Sequence, residues 1–148
     1  MKNIISVVLK LNLILIFLYS TVSFAQTEDI HVPFTNLEDV PRFPNCIEVP
    51  NEEAKECFIK EMNNHIRANF NYPEKARKRK IQGRVTVLFV INQEGILKIY
   101  DTHTPEGCEL LAEEAERIIK LLPRFKPGEQ RGEPVSVSYA QPILFKIN

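Results

Sequence analysis

The chain has 148 residues, 44% of them hydrophobic and 26% charged, with ten prolines, five glycines and no tryptophan. That length allows one domain with a core of its own and is short for two ordinary ones. Formal charge is zero, and without Lys2 and Lys10 the count is 17 basic to 19 acidic side chains. This excludes the strongly basic surface that nucleic acid calls for, so no nucleic-acid partner is expected.

Met1-Lys2 makes a short positive start, Ile4 to Phe24 is almost wholly apolar, and Ser23-Phe24-Ala25 ends the run with small residues at the two positions a signal peptidase reads. Residues 1–25 therefore read as a cleaved export signal. The alternative is a retained inner-membrane anchor over residues 4–24, which meets the length of about 20 apolar residues only if Lys10 snorkels. Either way the remainder leaves the cytoplasm. Cys46, Cys57 and Cys108 then face an oxidising compartment, where pairing is the default. One bridge among three cysteines has three pairings, and spacing alone does not choose among them.

Pro33, Pro41, Pro44 and Pro50 forbid a helix across residues 26–50, which read as an ordered lead-in or a short tether and not a second domain. Residues 51–148 form the domain. Asn51 suits an N-cap and Glu52 and Glu53 the first turn. Ala54, Phe58, Met62 and Ile66 recur every fourth residue, predicting an amphipathic helix to about Asn69. Tyr72-Pro73 breaks it, and Pro73 opens a short second helix to about Lys78.

Val85, Val87, Phe89 and Ile91 alternate onto one face of a strand over Arg84–Ile91. Asn92-Gln93-Glu94-Gly95 is a turn with Gly95 free to take a positive φ, and Ile96 to about Thr102 returns as the second strand of a hairpin. Leu111, Ala115, Ile118, Ile119 and Leu122 follow at helical spacing, with Glu109, Glu113 and Glu114 early and Arg117 and Lys120 late, the order the helix dipole favours. Pro123 stops that helix. After the loop at Pro127-Gly128 and Gly132, a third strand runs over Val135–Phe145, with Val135, Val137, Tyr139, Ile143 and Phe145 on one parity.

The order helix, short helix, strand, strand, helix, strand predicts an α+β fold: a three-stranded antiparallel sheet with two main helices packed on one face. The last strand pairs with the first and lies at an edge, where Pro142 is tolerated. The core is expected to hold Phe58, Met62, Ile66, Val87, Phe89, Ala115, Ile118, Ile119 and Leu122, with Val137 and Phe145 beneath the last strand.

No catalytic, metal or cofactor site emerges. His31, His65 and His103 have no metal-ligand spacing, and no glycine-rich phosphate loop, GxSxG or CxxC occurs. Glu113, Glu114 and Glu116 read as the solvated face of a helix and not as an acid–base pair. The basic run Lys75, Arg77, Lys78, Arg79 and Lys80 reads as a solvated face, or as a contact for an acidic partner or anionic lipid headgroups.

With the elements placed, an ordered set of residues comes into view: Tyr72-Pro73, Ala76, Ile81-Gln82-Gly83-Arg84-Val85, Val87 to Ile91 and Gly95, then Glu114-Ala115, Leu122-Pro123-Arg124-Phe125-Lys126-Pro127-Gly128, Gly132-Glu133-Pro134-Val135, Tyr139, Pro142-Ile143 and Phe145. Over residues 65–148 this resembles the TonB C-terminal domain family. Phe43-Pro44-x-Cys46, Cys57-Phe58, His65-Ile66 and Asn69-Phe70 are similar to an extension found in short exported members. That likeness implies a Cys46–Cys57 disulfide and gives Cys108 no role.

The resemblance further implies a non-enzymatic periplasmic module. Its last strand would take up the TonB box, a short peptide of outer-membrane transporters, by strand addition. The residues concerned would be Val135, Ser136, Val137, Ser138, Tyr139, Ala140, Gln141 and Ile143. In TonB itself, force arrives from a proton-driven inner-membrane motor through an anchor helix and a proline-rich spacer. Here residues 26–50 are not such a spacer and would reach at most about 85 Å, and the apolar segment lacks the anchor histidine. The expectation is thus an adaptor or accessory of TonB-dependent transport whose contact with the motor is in doubt. The alternative is a stand-alone interaction or oligomerisation domain of the envelope, such as a homodimer, without energy coupling.

Overall fold

The computed structural model describes residues 31–147, so the leader expected over residues 1–25 lies outside the described residues. Ahead of the first helix, burial orders the chain more than regular structure does. Val32–Pro33 forms a two-residue strand, β1, and 3-10 turns cover Phe34–Asn36 and Pro44–Cys46. Phe34, Leu37, Val40, Phe43 and Cys46 are all buried in the common core. The prolines stop a helix here, but the apolar residue at every third or fourth position packs the segment down.

Two devices fix this lead-in. Cys46 and Cys57 are joined by a disulfide, the pairing that the family resemblance implied. Arg42, only 3% exposed, forms an ion pair with Asp39 at 2.9 Å and donates to the carbonyls of Cys46, Ile47 and Val49. A guanidinium taken out of water needs this many oxygens to offset its desolvation. Arg42 also donates to the Asn51 side chain. That contact explains a departure from the sequence reading: Pro50 is the N-cap, and Asn51 is the first residue of α1 (Asn51–Asn69), with no side-chain cap bond.

Helix α1 buries Ala54, Phe58 and Met62, the predicted stripe, while Ile66 is half-buried near its end. Helix α2 (Glu74–Lys78) follows Pro73, which occupies its N-cap. Strand β2 (Gly83–Ile91) buries Val85, Val87, Phe89 and Ile91 completely. At the turn into β3 (Leu97–His103), the Asn92 carboxamide oxygen accepts from the Glu94 and Ile96 N–H groups at 3.0 and 2.8 Å, and Gly95 has φ +77°. Helix α3 (Glu109–Lys120) buries Leu111, Ala115, Ile118 and Ile119; Leu122, expected in the core, lies beyond its end and is half-buried.

Glu114 departs from the expected solvated face. It is 8% exposed, and its carboxylate accepts from the Asn71 N–H at 2.9 Å and from Arg117 at 2.7 and 2.8 Å. The Asn71 amide sits just beyond α1 and turns to Glu114 instead of to a free carbonyl of the last helical turn. The bond from Arg117 to Glu114 raises the Arg117 guanidinium pKa further. Arg117 also donates to the Asn69 carbonyl at 2.6 Å, and His65 meets the Ile118 carbonyl at 2.9 Å. Helices α1 and α3 are thereby tied side by side.

A hairpin of β4 (Gly128–Gln130) and β5 (Glu133–Val135) precedes the last strand, β6 (Val137–Phe145). The main sheet has the order β1-β6-β2-β3. Strand β2 pairs antiparallel with both β3 and β6, as predicted, and β1 adds a short parallel fourth strand outside β6. The fold is α+β.

Candidate strand-accepting edge

The sheet offers two open sides, β3 and the part of β6 that the two-residue β1 leaves uncovered, and they are unequal. On β3, Leu88 faces Asp101 and Phe89 faces Ile99, so Tyr100 is an extra residue that bulges the strand. Lys98 and Asp101 are exposed beside the bulge. A bulge and charges are the usual ways to keep an edge from templating another strand.

Strand β6 is regular over its whole length against β2, from Ile91↔Val137 to Gly83↔Phe145. Its outer side can be assigned residue by residue. The Val32 N–H donates to the Ser136 carbonyl at 2.9 Å, so Ser136 turns its backbone away from β2. Backbone groups alternate sides along a strand. Ser138, Ala140, Pro142 and Leu144 therefore also face outward, while Val137, Tyr139, Gln141, Ile143 and Phe145 bond to β2. Pro142 fits this parity, since its missing N–H then costs no ladder bond.

Strand β1 covers the first part of that outer side through Val32↔Val137 and Pro33↔Ser138. Beyond it, Ala140 and Leu144 are exposed, and each offers an N–H and a C=O. At Pro142 the carbonyl already accepts from the Gln141 carboxamide at 2.9 Å. The open edge is thus two donor–acceptor positions four residues apart. Beside it lies a cleft of about 300 Å³ between Pro142, Ile143 and Leu144 on β6 and Asn63, Ile66, Arg67 and Phe70 on α1. Phe70 and Leu144 are 37% and 60% exposed, so apolar side chains open to solvent stand beside the polar Asn63 and Arg67 in this cleft.

Not all the residues expected on the edge lie there. Val135 belongs to β5, where it pairs with Gly128. Ser136 is the link into β6, and Val137 and Ser138 lie under β1. The Tyr139 ring is in the core, with centroids 4.8, 5.2 and 5.6 Å from those of Phe34, Phe58 and Phe89, and burial pushes its phenol pKa up. Gln141 and Ile143 are buried. Of the expected set, Ala140 alone offers outward backbone groups without a covering strand. Sequence reasoning missed Leu144 and the α1 wall. Leu144 shares the parity of Ala140, and Asn63, Arg67 and Phe70 follow one another at helical spacing beside the buried stripe, so both signals were present.

The remaining features form no chemical site. The three histidines are not brought together: His65 is bound to Ile118, His103 lies 3.5 Å from Asp101, and His31 is exposed. Among the described residues no group of His, Cys, Asp or Glu is placed to hold a metal, and no described helix is long and apolar enough to cross a membrane. Lys75, Arg77, Lys78, Arg79 and Lys80 are all exposed, with Arg77 paired to Glu74.

The family model described as Gram-negative bacterial TonB protein C-terminal matches residues 68–147, more than half of the chain. The chain belongs to that family. TonB C-terminal domains are non-enzymatic interaction modules of the cell envelope that engage outer-membrane transporters. Two solution structures of the Helicobacter pylori TonB C-terminal domain are similar. One is 24% identical with a TM-score of 0.44, over 69% of this chain and 87% of that one. A shorter piece is 25% identical with a TM-score of 0.37, over 60% of this chain and 92% of that one. No match is found among curated proteins.

Within the TonB C-terminal match lie all of β2, β3, α3 and β6, and hence the open edge itself. Outside it lie β1, which pairs with that edge, and the disulfide and Arg42, which fix the rest of the lead-in.

Proposed function

We propose that this chain is a periplasmic protein-binding adaptor of TonB-dependent transport. It would take an extended segment of an outer-membrane transporter, the TonB box, onto the open part of β6. The observation that carries this reading is the pair of outward backbone positions at Ala140 and Leu144, next to the cleft against α1. Main-chain bonds at such an edge give affinity, and pockets for alternate side chains give selectivity.

Ala140→Pro tests it. The substitution deletes one outward N–H and leaves the β2 ladder intact. A hydrogen bond contributes net about 0.5–1.5 kcal/mol, so affinity for a labelled TonB-box peptide should fall roughly 2- to 12-fold. Ala140→Ser keeps the N–H and should bind as wild type does. Anisotropy titration measures both, with circular dichroism confirming the fold. Equal binding by wild type and Ala140→Pro, or none by wild type at millimolar peptide, refutes strand addition here.

The packing of the lead-in favours an accessory without energy coupling over a complete transducer. The domain is already folded at Val32. Were residues 4–24 kept as an anchor, residues 25–31 would allow about 25 Å of reach at most. That distance leaves the edge beside the inner membrane, and an exported form freed of its leader would reach the transporter by diffusion.

A further inference from the structure

We infer that the lead-in builds an end-stop on the β6 edge, with Val32, Pro33 and Phe34 fixing the register and length of any strand added there. The inference rests on β6 being the strand-accepting edge. It adds where such a strand must stop.

Val32 holds Ser136 through its N–H at 2.9 Å, and the parallel register Val32↔Val137 places the Ser138 N–H on the Val32 carbonyl. The Ser136 carbonyl and the Ser138 N–H are thereby removed from the set of free edge groups. β1 does not simply move the edge outward by one strand. Val32 points its N–H at β6, so Pro33 takes the opposite side, where it has no N–H to offer. The covered part of the edge is closed twice, first by β1 and then by the proline within it.

The stop is held in place from behind. Phe34 is 8% exposed, and its ring lies 4.7 Å from Phe58 of α1 and 4.8 Å from Tyr139 of β6 itself. The following residue, Thr35, has its carbonyl bonded by Lys55 of α1 at 3.3 Å. A strand lying along Ala140 to Leu144 and growing toward residue 138 therefore meets a chain anchored in the core. The open stretch pairs a ligand of about five residues, or about 14 Å between the Cα atoms of Ala140 and Leu144. The ligand this site fits is a short extended segment that turns away or ends at Phe34, not a long strand or a full sheet edge.

Amide hydrogen exchange on the wild-type protein, followed by NMR, reads this directly. In the free protein the Ser138 amide should be protected and the Ala140 and Leu144 amides fast. A saturating labelled TonB-box peptide should slow Ala140 and Leu144 and leave Ser138 unchanged. Fast exchange at Ser138 in the free protein, or release of Val32 when peptide binds, overturns the end-stop while strand addition stands. No slowing at Ala140 or Leu144 at millimolar peptide overturns both.

Nested peptides of five, seven and nine residues, lengthened at one end or the other, give a second measure. The series that grows toward β1 should gain less than about two-fold, against roughly five-fold for each added hydrogen bond on an uncapped edge. Val32→Pro, which deletes the bond to Ser136, should restore that gain for the nine-residue peptide and leave the five-residue one unchanged. Steady gain in both wild-type series is the contrary result.

Discussion

Phe58→Ala is the substitution through which the lead-in, the first helix and the last strand are tested together. The Phe58 side chain is fully buried. Its ring centroid lies 4.7 Å from Phe34, 5.3 Å from Phe43, 5.2 Å from Tyr139 and 5.9 Å from Phe125. Those partners come from two points of the lead-in, from β6 and from the loop after α3, so no single neighbour can move in to fill the space. Truncating a buried phenylalanine costs about 3–5 kcal/mol, more where the site cannot collapse, and the upper half of that range applies here. Single domains have about 5–15 kcal/mol in all, so the variant should remain folded but with a much lower midpoint. Urea unfolding followed by circular dichroism gives the cost from the midpoint at unchanged slope. Phe34 loses one of its walls at the same time, so exchange at Ser138 should speed up more than exchange at Val87 in the centre of the sheet. A cost below about 1 kcal/mol would show that the lead-in is not part of the cooperative core.

Three further substitutions probe separate claims. Gly95→Ala should cost more than about 2 kcal/mol by thermal or urea unfolding, since a left-handed position alone is worth about 1–3 and the added Cβ would fall 1.8 Å from the Phe125 carbonyl oxygen; a cost near zero would mean the turn can rearrange. Replacing Cys46 and Cys57 together by serine should cost about 2–3 kcal/mol for so short a loop, and peptide mapping without reductant should find these two linked and Cys108 free. Bonds from Lys120 and Thr102 hold the Glu116 carboxyl pKa below its ordinary value of 4.5. Its contribution is therefore complete above about pH 4.5 and is lost as pH falls through the lowered value. Glu116→Gln should flatten the acid side of the stability profile and leave its neutral side little changed, and an unchanged acid slope refutes the assignment.

The sheet was largely legible because its signals are local. Alternation from Val85 to Ile91 places β2, the turn at Asn92 to Gly95 sets the hairpin, and the apolar period from Leu111 to Ile119 places α3. Pro142 marked β6 as an edge, and the structure gives the reason in its outward parity. What was not legible depends on contacts far apart in sequence. Val32 meets Val137 across more than a hundred residues, and a two-residue strand whose second residue is a proline leaves no periodicity to read. Asn51 has the composition of an N-cap but turns to Arg42, because a buried guanidinium in need of acceptors outcompetes a cap bond worth about 1 kcal/mol. Glu114 looked like one acid among three on a helix face, and only the position of the Asn71 amide beside α3 makes it a buried acceptor. On the edge, the strand was found but its usable part was not, since a covering strand cannot be inferred from the strand it covers.

The proposed strand addition at β6 can be weighed by the load that such an edge would carry. A pulled peptide bound by strand addition is loaded along its backbone bonds, and a longer pairing shares that load among more of them. Here the lead-in does the reverse. Phe34, next to β1, packs on Tyr139 of β6, and β1 leaves Ala140 and Leu144 as the uncovered outward positions of that strand. A strand added there would gain four backbone bonds of about 1 kcal/mol each beside a small mixed cleft, which amounts to weak and rapidly reversible capture.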